Sequence, residues 1–578
     1  MKKIEKIILI FCLFCGVFSF TLAEVVNHSE RAIDLEMRRL EEKVIDQTLK
    51  KEAQKKELEK KMIEKKMIEG KGTKKLQDGK KFQIKKITLI NAERLTIKEK
   101  MSVIKKYANT KIGLLEVHEL IKALTNKYIQ KGYVAARVTI PVDQNISRGE
   151  LKLRVFEGKI EDVVINVEDK EDKWKEKINT VLEPGDTVDL KNIEYMEKII
   201  NGTPKNQGSI KLEPGSKIGQ TIIKGDFKES KFGNIGINYD NLGSEGTGKN
   251  NLKLSYTHSN PIGVSDVFFV QAATTLEPDR ERFNRTMILD YKVPIGWWET
   301  GMSYNYSQTK NTIEGNVRST LQESKSESYK LKLNRTVYNG TKGKVKIVSN
   351  LGVKDSKTYI EKSLVKTSSY KNAQYDIGLI YSGTLFGGSI YNKLSYIKGL
   401  GGMGADKDSK YIKAKRQFEK FKFYSRYNKP FKVLKYSFAY EMTVDSQYTN
   451  DILYSTDKFS IGDDTTVRGF RNGVSGENGL YLKNQVYYTI DNSSKNLILK
   501  QFKGLRLFTG IDYGFVDNSA NKGSHKYLKR EELTSASFGL QKYFANGSIE
   551  ITYSLPINSP DYVKQEEGIL YLIGSLNM

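Results

Sequence analysis

The fold class follows from two stretches of the sequence, Tyr436-Ser-Phe-Ala-Tyr-Glu-Met442 and Ile549-Glu-Ile-Thr-Tyr-Ser-Leu555. In both, apolar or aromatic residues alternate with polar or charged ones, the pattern of a β-strand with two different faces. Similar segments, separated by clusters of Gly, Asn, Ser, Asp and Lys, recur from residue 227 to the last residues, 571–578. This part of the chain is therefore predicted to be all β.

The alternation fits either a soluble sandwich, with its apolar face inside, or a membrane barrel, with that face toward lipid. Three features favour the barrel. The 33 tyrosines suit interfacial girdles, the polar face carries full charges that suit a water-filled lumen, and the alternation runs to the C-terminal end. At about 22 residues per strand and connection, residues 227–578 predict about 16 antiparallel strands, which is wide enough for a channel.

The N-terminus predicts export. Residues 1–23 combine a basic start (Lys2, Lys3 and Lys6), an apolar stretch and the small-residue ending Thr-Leu-Ala23, which is typical of a signal peptide cut before Glu24. The chain's 2 cysteines, Cys12 and Cys15, lie within it. The mature protein is thus expected to contain no disulfide and no thiol nucleophile. No later stretch approaches the ~18 apolar residues of a membrane helix.

Between the signal peptide and the barrel, the sequence predicts one helix and two small domains. Residues 24–69 are highly charged, with apolar residues at helical spacing, which fits one helix or a solvated, partly disordered arm, and 70–81 are linker-like. Residues 82–157 and 158–226 each predict a β-α-α-β-β order, which indicates an internal duplication. The predicted elements are strands 82–90, 134–140 and 151–156 with helices 97–107 and 116–130, then strands 160–167, 209–212 and 220–224 with helices 173–179 and 190–200.

Several further segments occur in an order that matches a known family. They are Gly132–Pro141 (GYVAARVTIP), Gly149–Ile160 (GELKLRVFEGKI), Pro184–Ile222, Asn238–Gly248 (NYDNLGSEGTG), Val293–Trp298 (VPIGWW), Phe459–Phe470 (FSIGDDTTVRGF) and Gly510–Gly514 (GIDYG). Together they resemble the two-partner secretion transporters (TpsB), the haemolysin-activator and filamentous-haemagglutinin exporters among the POTRA-bearing outer-membrane barrels of Gram-negative bacteria. The resemblance covers nearly all of the chain from Phe82 onward. It implies two periplasmic POTRA domains, 82–157 and 158–226, an outer-membrane barrel, 227–578, and a pore-plugging role for helix 24–69.

The resemblance also implies the site residues. In this family the sixth extracellular loop folds back into the lumen, and its arginine pairs with a carboxylate of the barrel wall. The loop tip would be Val467, Arg468, Gly469 and Phe470, and the wall partner of Arg468 would be Asp512, flanked by Gly510 and Gly514. A guanidinium suits this role because its rigid fork holds a carboxylate in a bidentate way. Gly469 would allow a tight turn, and Phe470 would pack against apolar lumen side chains.

The same resemblance implies the partners. The cargo would be a large, β-helical, TpsA-like exoprotein, captured unfolded by the POTRA domains and exported through the lumen. Haemolysins, adhesins and contact-dependent toxins are all cargoes of this family. Outer-membrane lipid and the barrel assembly machinery are the other expected partners, and a monomer is expected.

Other functions find little support in the sequence. The net charge of +26 comes from lysines spread along the chain, which predicts a solvated basic surface and no nucleic-acid binding. The 4 histidines lack metal-ligand spacing, and no hydrolase motif occurs, so neither cofactor, metal nor enzymatic activity is predicted. Two alternatives remain: a POTRA-bearing assembly factor for outer-membrane proteins, which the two-POTRA count disfavours, and a soluble secreted adhesin.

Overall fold

The computed structural model describes most of the chain from residue 81 and one helix before it. The described residues are 33–49, 81–142, 144–167, 170–171, 180–201, 207–228, 233–244, 246–276, 282–313, 320–340, 343–410, 413–471, 473–490, 502–518, 530–563 and 566–578. The first described element is a helix over residues 33–49, α1. The predicted signal peptide, the predicted helix 173–179, most of the predicted linker and the rest of the predicted helix 24–69 lie outside these residues.

The first small unit packs two helices on a small sheet. It comprises β1 (Phe82–Ile84), β2 (Lys86–Ile90), α2 (Ile97–Ile104), β3 (Thr110–Ile112), α3 (Leu114–Gln130), β4 (Arg137–Thr139) and β5 (Glu150–Phe156). The sheet order is β2-β5-β4, with β2 parallel to β5, and β1 pairs separately with β3. Leu120, Leu124 and Tyr128 of α3 are fully buried against the sheet residues Leu151 and Leu153. These apolar contacts hold the unit together.

The first predicted strand, 82–90, is wrong as a single strand. The backbone N–H groups of Lys85 and Lys86 both donate to the carbonyl oxygen of Gly149, at 2.7 and 3.1 Å. The chain changes its pairing partner at this point, so that β1 pairs with β3 and β2 with β5. The apolar alternation continues from β1 into β2, so the sequence alone does not reveal this change of pairing partner.

The second unit repeats the parallel pairing of the first. It contains β6 (Lys159–Val167), β7 (Lys170–Glu171), α4 (Leu190–Asn201), β8 (Gln207–Pro214) and β9 (Gln220–Lys228), in the sheet order β7-β6-β9-β8. Strand β6 is parallel to β9, just as β2 is parallel to β5. Ile193, Met196 and Ile200 of α4 are buried against Ile165 and Ile223. Their spacing of three and four residues places them on one helix face.

The remaining chain forms a closed antiparallel barrel of sixteen strands, as the alternation predicted. The strands are β10 (Asn234–Asp240), β11 (Asn251–Ser259), β12 (Val267–Thr275), β13 (Phe283–Ile295), β14 (Trp298–Ile313), β15 (Thr320–Gly340), β16 (Gly343–Ile360), β17 (Ser363–Leu385), β18 (Gly388–Leu400), β19 (Glu419–Val433), β20 (Tyr436–Tyr448), β23 (Asn478–Thr489), β24 (Leu505–Asp517), β25 (Glu531–Phe544), β26 (Gly547–Asn558) and β27 (Ile569–Asn577). Strands β10 and β27 close the barrel. The connection between β20 and β23, residues 449–477, is the sixth loop at the end away from the periplasmic units, and it contains β21 (Phe459–Ile461) and β22 (Val474–Gly476).

The direction of the apolar face distinguishes the barrel from a soluble sandwich. In β26, Ile549, Ile551 and Tyr553 point outward and are 51%, 36% and 42% exposed. Their polar neighbours Thr552 and Ser554 face the lumen and are buried. An apolar outer wall around a polar interior is the arrangement of a barrel in lipid. No helix among the described residues is both long and apolar enough to cross a membrane.

Candidate functional site

The sixth loop folds back into the lumen as a short hairpin. Its strands β21 and β22 pair with each other, and Phe459, Ile461 and Val474 of this hairpin are almost fully buried. They pack with lumen-facing residues of the barrel wall, including Tyr481 of β23 and Val516 of β24. The hairpin is therefore anchored by an apolar cluster in a lumen that is otherwise mostly polar.

Asp463 organises the turn that follows β21. Its carboxylate accepts hydrogen bonds from the backbone N–H groups of Thr465 and Thr466, at 2.9 and 3.0 Å. Gly462 precedes it with a φ of +98°, a conformation that favours glycine. The turn directs the next residues, Val467 to Phe470, toward the wall formed by β24.

Arg468 and Asp512 meet at the centre of the site. The Nε of Arg468 donates to Oδ2 of Asp512 at 2.7 Å, and its Nη2 donates to Oδ1 at 2.8 Å. The remaining guanidinium nitrogen, Nη1, donates to Oε1 of Gln485 at 2.6 Å. Arg468 is 4% exposed and Asp512 is 0% exposed. A bidentate pair of this kind, shielded from water, fixes both the position and the orientation of the loop tip.

Gly510 and Gly514 make room for the loop. A Cβ on Gly510 would lie 3.1 Å from Nη2 of Arg468 and 2.4 Å from the carbonyl oxygen of Asn484. A Cβ on Gly514 would lie 2.9 Å from Cγ2 of Val467. The spacing of the two glycines around Asp512 thus creates two adjacent hollows on one face of β24, one under the guanidinium and one under Val467.

The other residues of the tip are buried on the neighbouring strands. Val467 is 0% and Phe470 2% exposed, and both belong to the apolar cluster of the loop. Gly469 has a φ of +87°, and a Cβ there would lie 3.1 Å from the backbone nitrogen of Pro556. The backbone N–H of Gly469 donates to the hydroxyl of Tyr571 at 3.1 Å. All predicted site residues are therefore close together: the loop tip lies on the lumen face of β23–β27, which includes Gly510, Asp512 and Gly514.

Two contributors were not predicted from the sequence, Gln485 and Tyr571. Each faces the lumen from its own strand. Gln485 accepts a hydrogen bond from Arg468, whereas the Tyr571 hydroxyl accepts one from the backbone N–H of Gly469 and donates one to the carbonyl oxygen of Phe470 at 3.5 Å. Their positions in the alternation show that they point inward. Nothing in the local sequence shows which inward residues lie beneath the loop, because that depends on how distant strands are staggered.

Helix α1 lies in the lumen beside the loop. Arg39 forms a bidentate pair with Asp464 of the loop, with Nη2–Oδ1 and Nε–Oδ2 distances of 2.6 and 3.0 Å. Glu36 accepts hydrogen bonds from Lys253 of β11 and from Gln271 of β12, the latter at 2.7 Å. Asp46, near the other end of the helix, pairs with Arg426 of β19 at 2.8 Å. The contacts that join α1 to the barrel and the loop therefore include several ion pairs, and Ile33, Ile45 and Leu49 of the helix are buried as well.

The described residues show no arrangement for metal chemistry. Within the ranges given above, no group of three or more His, Cys, Asp or Glu side chains is placed to hold a metal ion. The carboxylates of the site are instead engaged by guanidinium groups, ammonium groups and backbone amides.

Fold and site together define a POTRA-bearing outer-membrane β-barrel with a loop folded into its lumen. Residues 82–158 match the model of the POTRA domain, ShlB-type, and residues 219–542 match that of the haemolysin secretion/activation protein ShlB/FhaC/HecB. The second match spans more than half of the chain, which therefore belongs to this family, the transporters of two-partner secretion. It is an outer-membrane transporter whose POTRA region lies in the periplasm, and the members of its family are transporters.

Individual relatives agree with this assignment. The outer membrane transporter CdiB of Dickeya dadantii is 26% identical over 505 residues, which cover 85% of this chain and 86% of that protein. The hemolysin transporter protein ShlB of Serratia marcescens is 27% identical over 374 residues, 64% of this chain and 65% of that protein. The solved structure of CdiB from Escherichia coli has the same fold, with a TM-score of 0.79 at 20% identity over 96% of this chain and 100% of that one.

Proposed function

We propose that this transporter captures a large, unfolded, β-helical exoprotein of the TpsA type in the periplasm and exports it through the barrel lumen. The single observation that supports this most strongly is the loop tip bound in the lumen, with Arg468 on Asp512. The tip of this loop is held against the wall by the buried pair of Arg468 and Asp512 and by an apolar cluster, and we propose that it moves when cargo passes. The names of the relatives, outer membrane transporter and hemolysin transporter, point to the same activity.

The two periplasmic units are proposed to be two POTRA domains, 82–157 and 158–226, that capture the cargo. In the second sheet, β8 pairs with β9 on one side and forms the sheet edge on the other. An edge strand of this kind can accept an extended segment of another chain as an added strand. Backbone hydrogen bonds would supply the binding energy with little demand on sequence, which suits an unfolded cargo.

Helix α1 is proposed to plug the resting pore, as part of the segment 24–69. It lies in the lumen, where Glu36, Arg39 and Asp46 form ion pairs with the barrel wall and the sixth loop. We propose that it leaves during transport while residues 227–578 remain in the membrane. No nucleotide is available outside the inner membrane, so folding of the cargo at the cell surface would drive its export. The barrel assembly machinery would insert the protein, which would act as a monomer without cofactor or enzymatic activity.

The capture step can be tested by crosslinking in living cells. A photo-crosslinking residue at Ser209, on the edge strand β8, should trap one large soluble exoprotein in the periplasm. The same residue at Lys98, on the exposed face of α2, is the matched control and should trap much less of it. Recovery of many different outer-membrane barrel proteins at Ser209, with no soluble exoprotein, would instead support the alternative function of an assembly factor.

A further inference from the structure

One side of the barrel lumen carries a dense row of lysines. On β15, Leu331 and Leu333 point outward and are 46% and 47% exposed. Lys330 and Lys332, which alternate with them, therefore face the lumen. The same alternation turns inward four further lysines, whose outward neighbours include Leu394 on β18 and Phe421 and Phe423 on β19. We call these six residues the lysine wall: Lys330, Lys332, Lys354, Lys393, Lys420 and Lys422.

The carboxylates of the barrel and of loop 6 offset only part of this charge. Lys332 pairs with Asp290 of β13, and the ammonium group of Lys420 lies 4.0 Å from the carboxylate of Asp457 in the sixth loop. Asp376 of β17 is an electrostatic neighbour of Lys330 and of Lys393. With Asp445 of β20, a further neighbour of Lys393, four carboxylates of the described barrel and sixth loop face six lysines, so this side of the lumen keeps an excess of positive charge.

Helix α1 supplies the missing negative charge. Asp34 lies 3.9 Å from the ammonium group of Lys354. Glu41 projects into the lumen, and its electrostatic partners are four members of the wall, Lys393, Lys330, Lys422 and Lys332. The plug and the lysine wall are therefore complementary in charge.

We propose that the lysine wall is an anion-binding surface that Asp34 and Glu41 occupy at rest and that carboxylates of the exported chain occupy during transport. The second half of this proposal rests on the proposed function, because it requires the plug to leave. The chemistry is that of ammonium groups facing water, which attract carboxylates without demanding a particular sequence. An elementary charge about 7 Å from the path of an ion in water changes the local concentration of that ion roughly threefold. A row of such charges makes the lumen selective for anions.

Thiol labelling tests the wall without requiring the pore to conduct. With the signal peptide removed, the chain contains no cysteine, because its 2 cysteines are at positions 12 and 15. A Gln374→Cys substitution places one thiol on the lumen face of β17, opposite Gly352, which is itself paired with Lys330. In the full-length protein at low ionic strength, an anionic methanethiosulfonate should react with this thiol several times faster than a cationic one of similar size.

The comparison variant is Lys330→Gln/Lys393→Gln/Lys422→Gln in the same Gln374→Cys background. The preference for the anionic reagent should largely disappear in this variant. The preference should persist when three lysine charges are removed instead from the exposed surface of the first periplasmic unit, with Lys98→Gln/Lys105→Gln/Lys111→Gln. Equal rates for the two reagents in the parent protein, or a preference that survives the triple substitution in the wall, would overturn the proposal.

A second measurement separates the wall from the gating of the pore. In planar bilayers with a KCl gradient, open channels of the full-length protein should be more permeable to chloride than to potassium, and poly-glutamate should block them more strongly than poly-lysine. The triple substitution in the wall should reduce both effects. If the channels open readily but prefer potassium, the wall proposal fails while the plug proposal stands. If labelling shows the anionic preference but the pore does not open, the wall proposal stands and the withdrawal of the plug is in doubt.

Discussion

Replacing Arg468 with alanine should detach the sixth loop from the barrel wall and strongly reduce export, while the barrel remains inserted. The guanidinium group makes three side-chain hydrogen bonds, two to Asp512 and one to Gln485, at 2.6 to 2.8 Å. Asp512 is 0% exposed. Truncation would therefore leave a buried carboxylate without its counter-charge as long as the loop stays in place.

The size of the effect follows from that orphaned charge. Breaking a buried ion pair by removing one partner costs about 3–5 kcal/mol. At 1.4 kcal/mol per factor of ten, the balance between bound and released loop shifts roughly 140- to 3700-fold toward release. The apolar cluster of the loop hairpin opposes release, but it does not contact the carboxylate. Removing both partners, in Arg468→Ala/Asp512→Ala, should cost less than Arg468→Ala alone, because no buried charge is left.

The assay combines three readouts on the same cells. Heat-modifiable migration on a gel reports barrel insertion, the amount of exoprotein in the medium reports export, and labelling of a Thr465→Cys thiol by an impermeant reagent reports release of the loop. Thr465 is 2% exposed when the loop is bound, so labelling should rise sharply in Arg468→Ala. Lys407→Ala, an exposed cation on the fifth loop, is the control and should change none of the three. Normal export by Arg468→Ala, or an unlabelled Thr465→Cys in that background, would show that the pair of Arg468 and Asp512 does not hold the loop for export.

Three further predictions follow from the same geometry. Gly514→Val should also displace the loop and reduce export, because its side chain would occupy the space of Val467, whereas Gly352→Ala, whose nearest neighbour is 3.7 Å from the new Cβ, should not. Arg39→Ala should increase the open probability of the pore in planar bilayers, since it removes the 2.6 Å contact to Asp464, whereas Gln47→Ala on the exposed face of the same helix should leave it unchanged. Glu116 accepts hydrogen bonds from the Lys81 ammonium group and from a backbone N–H, which lower its pKa to about 2. Because the pKa of Glu116 is lower in the folded protein than the unfolded value of about 4.3, its ionised carboxylate stabilises the fold above that pH. This stabilisation is lost as the pH falls from about 4.3 toward 2. Hydrogen-exchange protection of α3 should therefore decrease over that pH range, and it should decrease less in Glu116→Gln.

The barrel could be predicted because its signal is local. In β26 the alternation Ile549, Ile551, Tyr553 is visible in seven residues, and the structure turns these side chains toward lipid as expected. The number of strands followed from the length of the alternating region. The direction of the apolar face could not be derived from alternation alone, because a sandwich and a barrel share that pattern; the charges on the polar face were needed to choose.

The composition of the site was predictable only in part. The motif around Arg468 and the motif around Asp512 could be recognised, and the structure brings the two together across 44 residues of chain. The pairing of Arg39 with Asp464 could not be predicted, because it joins positions 425 residues apart and depends on where α1 lies inside a closed lumen. The contact of Asp464 with helix α1 becomes visible only with the helix in place.

Co-expression in a Gram-negative host tests most directly whether this barrel exports an exoprotein. The transporter and its cognate exoprotein are produced together, and the exoprotein is measured in the medium and in the periplasm. We expect exoprotein to reach the medium only when the transporter is present, and Arg468→Ala to leave it in the periplasm although the barrel is inserted. Exoprotein that reaches the medium without the transporter, or that stays in the periplasm beside a correctly inserted wild-type barrel, would contradict this expectation.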